Sequence, residues 1–198
     1  MAGTTFGTLT MDITSARPGN GSQETRRPRV FGIVGWKNSG KTTLIERLVR
    51  EFVAKGFRIS TIKHTHHTFD IDAPGKDSYR HREAGAHEVL VASTQRWALM
   101  HELRGAPEPS FAELLAHLAP CDLVLVEGFK FDAHPKIEVL RALGSNGRIA
   151  DKDETVCAIA TDDPVLAGRH PALPLNDAAA IVEFICRRCD LVRAAGVT

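Results

Sequence analysis

The chain has 198 residues, is 43% hydrophobic and 25% charged, and carries a formal net charge of +1, a balance suited to one globular domain with a sizeable core. That charge supplies no global field for nucleic acid or an acidic membrane. No apolar run reaches membrane-spanning length, and no positive start leads into an apolar block as a signal peptide would. The chain therefore reads as cytoplasmic, with neither nucleic acid nor membrane as a partner, and its four cysteines read as reduced thiols.

Residues 1–28 are rich in Thr, Ser, Gly and Arg and read as a disordered tail ahead of one domain over 29–198. Residues 29–34 form an apolar strand pattern. Leu44, Ile45, Leu48, Val49 and Phe52 then recur on one helical face, which Lys55-Gly56 closes. Residues 57–62 alternate as a second strand, giving a β-α-β unit with a right-handed crossover. A short helix follows, capped by Asp77 or Ser78 and ended at Gly85. Strands over 89–92 and 97–100 flank a hairpin-length loop. Ser110 and Glu113 spell a capping box for a helix through His117. Residues 123–126 read as a buried strand ending in Glu127-Gly128, and 136–140 and 155–161 as two more strands around a polar loop at 144–147. Asn176 or Asp177 caps a terminal helix with Ile181, Val182, Ile185 and Cys189 on its apolar stripe. With a G-x-x-x-x-G-K-[ST] segment over 35–42 between the first strand and helix, the pattern predicts an α/β fold, a three-layer P-loop NTPase domain with a mainly parallel sheet and some antiparallel strands.

Between the first strand and helix stands Gly35-Trp36-Lys37-Asn38-Ser39-Gly40-Lys41-Thr42, a G-x-x-x-x-G-K-[ST] phosphate loop in its expected setting. The glycines let successive N–H groups turn into one hollow, and the helix opening at Lys41 adds uncapped amides. Lys41 can reach the β- and γ-phosphates, and the Thr42 hydroxyl can ligate Mg²⁺. Trp36 and Lys37 keep side chains free to flank the nucleotide or meet a second subunit. Glu127 ends a buried strand where such a site needs a second acid for the metal, with Glu in place of the commoner Asp. Asp70 and Asp72, in the loop after the second strand, can reach the metal or orient water. Asp122, at the far end of its strand, reads as a turn residue.

The remaining candidates carry weaker signals. His64, His66 and His67 suit Zn²⁺ or Ni²⁺ chemically but lack the spacing of a compact zinc site, and contact with phosphate, substrate or a partner suits them better. Cys186 and Cys189 form a single C-x-x-C, which at that spacing fits core packing. Lys130, Lys136 and Arg82 read as surface cations or as additions to an anionic-ligand pocket. No N-K-x-D or T-K-x-D element reads guanine, but Asp162 ends the strand 155–161 and can accept from guanine N1 and N2. Motifs alone leave ATP and GTP unseparated.

Several blocks in order carry a resemblance: Gly35 to Thr43; the stretch 64–78 with F-D-I-D and P-G-K-D-S; Arg82-Glu83-Ala84-Gly85-Ala86; Gln95-Arg96-Trp97-Ala98-Leu99-Met100; and L-V-L-V-E-G-F-K over 123–130. Together they resemble the molybdopterin-guanine dinucleotide biosynthesis protein B (MobB) family, from about Val30 to the terminal helix. The resemblance implies a GTP-binding accessory protein with weak GTPase activity that uses GTP and Mg²⁺ and forms a homodimer. Its partner would be a separate guanylyltransferase that attaches GMP to the molybdopterin cofactor, itself a candidate ligand. Carried over by position, Gly40, Lys41, Thr42 and Thr43 hold phosphates and metal, and Glu127 fills the second acid role. Lys41, Asp70, Asp72 and Glu127 form the expected catalytic set, Thr42, Glu127 and Asp72 the metal set, and Thr161-Asp162 the base side. Thr68 stands where some relatives carry an acid. The tail and the cysteine pair fall outside the resemblance. Two other classes use the same loop: a small-molecule kinase, with Arg80 and Arg82 as lid candidates, and a nickel- or zinc-delivery GTPase using the histidines.

Overall fold

Runs of Val, Ile, Leu and Phe too apolar to face water on either side build the centre of the molecule. The computed structural model describes residues 28–65, 69–143 and 146–192. The tail assigned to 1–28, apart from Pro28, lies outside the described residues, as do His66, His67, Thr68, Gly144 and Ser145. The elements are β1 (Arg29–Val34), α1 (Lys41–Ala54), β2 (Ile59–Lys63), α2 (Asp77–Glu83), β3 (Glu88–Ala92), β4 (Trp97–His101), α3 (Phe111–Ala116), β5 (Leu123–Glu127), β6 (Lys136–Val139), β7 (Val156–Thr161), a 3-10 turn (Pro164–Ala167), β8 (Ala172–Pro174) and α4 (Ala178–Arg188). Six strands form one parallel sheet in the order β2-β5-β1-β6-β7-β8, while β3 and β4 pair antiparallel as a separate hairpin. The expected antiparallel strands are therefore present but stand outside the main sheet.

The two faces of the sheet are built differently. Phe31, Ile33, Leu123, Leu125, Ile137 and Val139 pack beneath the apolar stripes of α1 (Leu44, Leu48, Phe52) and α4 (Ile181, Val182, Ile185). Each such side chain contributes roughly 1.5–3 kcal/mol by leaving water. The opposite face carries Val34, Leu140, Ile149, Val156 and Ile159, together with polar groups that have partners. Buried Glu138 accepts from the backbone N–H of Ile149 and of Ala150, both at 2.9 Å. Lys136 is wholly buried, 3.1 Å from Asp153, and donates to the Asp132 carbonyl and the Thr155 hydroxyl. The surface reading of Lys136 is thus corrected: it ties the start of β6 to the loop before β7.

Local signals hold at most termini. Ser110 and Glu113 form both halves of the capping box on α3, and Asp177, not Asn176, caps α4 by accepting from Ala180 N at 2.9 Å. Asp122 accepts from Arg58 N at 2.7 Å, the turn role expected of it. At α2 the expectation fails. Lys76 occupies the N-cap with no side-chain bond, and Asp77 lies inside the first turn. Among the described residues no helix is long and apolar enough to cross a membrane.

Candidate functional site

The parallel register brings three strand ends level, with Ile33 opposite Glu127 and Glu127 opposite Lys63. From β1 the chain turns through Gly35 (φ 151°), Asn38 (φ 63°) and Gly40 (φ 96°) into α1. A Cβ on Gly35 would lie 2.6 Å from Ser39 Oγ and 2.7 Å from the Val139 carbonyl, so this turn requires glycine. Gly40 is the N-cap and supplies no side chain, which leaves the first amides of α1 directed into the hollow. Lys41 Nζ folds over the loop to the Trp36 carbonyl at 2.8 Å. Burial holds its pKa below the ordinary lysine value; Lys130 and Lys63 add to that, while Glu127 opposes it. The buried Ser39 hydroxyl has no hydrogen-bond partner among the described residues. Uncapped amides, convergent lysines and an orphaned hydroxyl fit a polyphosphate.

Thr42 and Glu127, distant in sequence, meet here. Thr42 Oγ1 donates to Glu127 Oε1 at 3.0 Å, and Glu127 Oε2 lies 3.5 Å from Lys63 Nζ. A hydroxyl and a carboxylate beside a phosphate cradle are the hard oxygen donors that Mg²⁺ takes. Trp36 is less free than its position suggests: its indole N–H donates to the Gly147 carbonyl at 2.8 Å, and Lys130 Nζ sits 4.5 Å over its ring. Lys37, Asn38, Thr42 and Thr43 are exposed.

Asp70 and Asp72 converge on Arg82 rather than on the Thr42–Glu127 pair. Each accepts from Arg82 Nη2 at 2.9 Å, and Glu102 approaches Nη1 at 3.5 Å. Arg82 thereby joins the loop to α2 and to the residue following β4, and Arg80 pairs with Asp77 at 3.8 Å. His64 pairs with Glu108 at 2.8 Å and packs on Phe129 with ring centroids 4.6 Å apart. Among the described residues no group of three or more His, Cys, Asp or Glu is arranged to hold a metal; His66 and His67 lie outside them. Cys186 and Cys189 pack against the core, where burial raises both thiols, Cys189 to about 11.

Asp162 leaves the end of β7. Its Oδ1 accepts from Asn176 Nδ2 at 3.0 Å, and its Oδ2 lies 3.9 Å from Arg141 Nη1. Pro164, Leu173, Pro174 and Asn176 line a cleft beside it. Arg47 of α1 anchors this corner by donating to the carbonyls of Leu175, at 3.3 Å, and Asn176. Sequence reasoning missed Arg141 and gave Asn176 only a capping role. The one available signal was an arginine following a strand, which by itself is ordinary.

Residues 30–162 match the family model described as "Molybdopterin guanine dinucleotide synthesis protein B" (MobB). A relative from Haemophilus influenzae named "Molybdopterin-guanine dinucleotide biosynthesis adapter protein" is 42% identical over 159 residues, covering 79% of this chain and 86% of the relative. An Escherichia coli protein of the same name is 39% identical over 159 residues, covering 79% and 90%. The crystal structure of a MobB homolog from Bacillus stearothermophilus superposes with a TM-score of 0.62 at 28% identity, covering 82% of this chain and 99% of the other. The Bacillus subtilis MobB structure superposes at 0.64 and 25% identity, covering 81% and 98%. With the phosphate loop, the Glu127 strand and the parallel sheet all in register with that assignment, the chain belongs to the MobB family, whose members are named for molybdopterin guanine dinucleotide synthesis.

Proposed function

We propose that this protein binds GTP with Mg²⁺ and acts as an accessory to a guanylyltransferase that converts molybdopterin cofactor to molybdopterin guanine dinucleotide. The observation that carries the nucleotide reading is the Thr42–Glu127 contact of 3.0 Å directly beside the glycine-built hollow. The loop amides and Lys41 would hold the β- and γ-phosphates, and Thr42 with Glu127 would hold the metal, which supplies charge neutralisation when bound. Asp162, at the end of β7, is the base reader in this scheme, because a carboxylate complements guanine N1–H and N2–H and repels the N1 lone pair of adenine. Hydrolysis is at most slow. Asp70 and Asp72 are engaged by Arg82, and any catalytic or metal role for either would require release from that pair. The adapter names of the relatives support the accessory role and a partner enzyme in that synthesis.

The hairpin supports a homodimer. Its cross-strand register sets Leu90 opposite Leu99 and Ala92 opposite Trp97 on one face, and Leu90, Leu99 and Trp97 are 60%, 40% and 67% exposed. A two-stranded ribbon with open edges and an apolar face is marginal alone and gains stability by pairing with a second copy.

Calorimetric titration with GTP and ATP, each with and without Mg²⁺, tests the nucleotide reading. Preference for GTP that depends on magnesium is expected; preference for ATP would move the small-molecule kinase reading ahead. Guanylyltransferase turnover with and without this protein tests the accessory role.

A further inference from the structure

Arg141 stands between the two halves of the candidate site. It follows Leu140, whose N–H bonds the Ala160 carbonyl at 2.9 Å and so fixes the end of β6 beside β7. From there the guanidinium lies over the last loop glycine: a Cβ on Gly40 would meet Nε at 3.4 Å, Nη2 at 3.5 Å and Cζ at 3.8 Å. Its other terminal nitrogen, Nη1, faces Asp162 Oδ2 at 3.9 Å, and the side chain remains 54% exposed. One planar cation thus borders both the N-cap of α1 and the carboxylate proposed to read the base.

Asp162 Oδ1 accepts from Asn176, while Oδ2 has Arg141 as an ion-pair partner at 3.9 Å. Guanine needs both, since its N1–H and N2–H donate side by side. Asn176 can share Oδ1, which has a second lone pair. Guanine at Oδ2 would take the partner that Arg141 Nη1 has there. The ion pair is long and half exposed, so releasing it costs little. A guanidinium released at Gly40 lies beside the α1 amides that receive phosphate, and its fork matches phosphate oxygens.

We propose that Arg141 is a nucleotide-binding residue that exchanges partners, holding Asp162 in the free protein and turning to the phosphate chain when guanine takes that carboxylate. The inference rests on the GTP-binding reading above and adds to it a residue that couples base recognition to phosphate binding. The arrangement makes phosphate and base contribute jointly: a guanine compound without phosphates displaces Arg141 and gives it nothing in return.

The test is competition against a fluorescent GDP by GTP, GDP and guanosine, using wild type, Arg141→Ala, Arg141→Lys and Lys41→Ala. Arg141→Ala should lower GDP and GTP affinity roughly ten- to a hundredfold, the range of a charge-assisted bond, and leave guanosine as strong a competitor or stronger. Arg141→Lys should recover part of the loss, and the salt dependence of GDP binding should flatten in Arg141→Ala. Wild-type GDP affinity in Arg141→Ala overturns the inference, as does an equal loss for guanosine and GDP, which would mark a base contact instead. If wild type binds GDP, Lys41→Ala does not and Arg141→Ala is unaffected, the functional reading stands and this inference alone falls. If wild type binds no guanine nucleotide, both fall.

Discussion

His134 should make this protein lose stability in mild acid. Its side chain is buried at 7% exposure, stacked on Phe111 with ring centroids 5.2 Å apart, and neither ring nitrogen has a hydrogen-bond partner among the described residues. Burial pushes its pKa down to about 4; the Lys136 ammonium adds to that, while Asp132 and Asp153 pull weakly the other way. In the unfolded chain the imidazole has the ordinary value near 6.5. Above that pH both states are neutral and His134 contributes nothing to pH dependence. Below it the unfolded chain takes up a proton that the folded protein refuses, so stability falls until the folded ring also protonates near its own pKa. The gap between 6.5 and about 4, at 1.36 kcal/mol for each tenfold change in proton binding, amounts to about 3 kcal/mol, of which about 2 is lost between pH 7 and pH 5. Urea melts of wild type and His134→Gln at those two pH values measure it. Groups common to both proteins cancel in the difference, so the change in slope is informative even if the variant is less stable throughout. A variant that loses as much stability as wild type between pH 7 and pH 5 would refute the assignment of a buried, neutral histidine.

The other predictions concern the loop and its support. Gly35→Ala forces a Cβ against the Val139 carbonyl and should abolish nucleotide binding while the melt shows a folded protein; retained GDP affinity would count against the cradle. Glu127→Gln should weaken the magnesium dependence of nucleotide binding, about tenfold in the magnesium needed for half effect, with smaller changes in folding. An unaltered dependence makes Glu127 a bystander held by Lys63. Gly32→Ala places a Cβ 2.6 Å from His134 Nε2 and 2.8 Å from Lys136 Cγ. It should cost about 1–3 kcal/mol by overpacking, read in urea melts, and equal stability would mean the far face yields. Lys136→Met breaks a buried pair and should cost about 3 kcal/mol in the same assay, since Asp153 loses its charge partner.

How much of this was legible depends on how far apart in sequence the interacting groups lie. The loop could be read because strand, glycines and helix are contiguous, and each announces itself by its own periodicity or turn chemistry. Glu127 was legible for the same reason, as an acid closing an apolar run. The capping box at Ser110 and the hairpin over 88–101 are equally local. Lys136 was misread because a lysine at a strand start is ordinarily solvated, and its partners Asp153 and Thr155 enter only through the fold. β8, three residues containing a proline, offers no alternation to detect, and without β8 nothing marks Asn176 as a neighbour of Asp162. Asp70 and Asp72 are the reverse case. Their spacing drew attention to metal chemistry, yet the fold supplies Arg82 from α2 and Glu102 from the end of β4, and the acids serve first to tie that loop down.

These long-range pairings also explain why the site can be both exposed and defined. The phosphate loop sits at the rim of the sheet, where its own residues bury little, so its shape must be imposed from below and from the sides. From below, Val34 and the β6 side chains Lys136 and Glu138 are pinned into a face where every polar side chain of β6 has a partner. From the sides, Lys63 holds Glu127, Lys130 and the Gly147 carbonyl hold Trp36, and Arg47 holds the corner carrying Asn176. The contact of Arg141 to Asp162 is longer and half exposed, so a ligand could break it at little cost. On the proposed reading, a cradle with Arg141 weakly held across it would let base and phosphates be recognised together rather than separately.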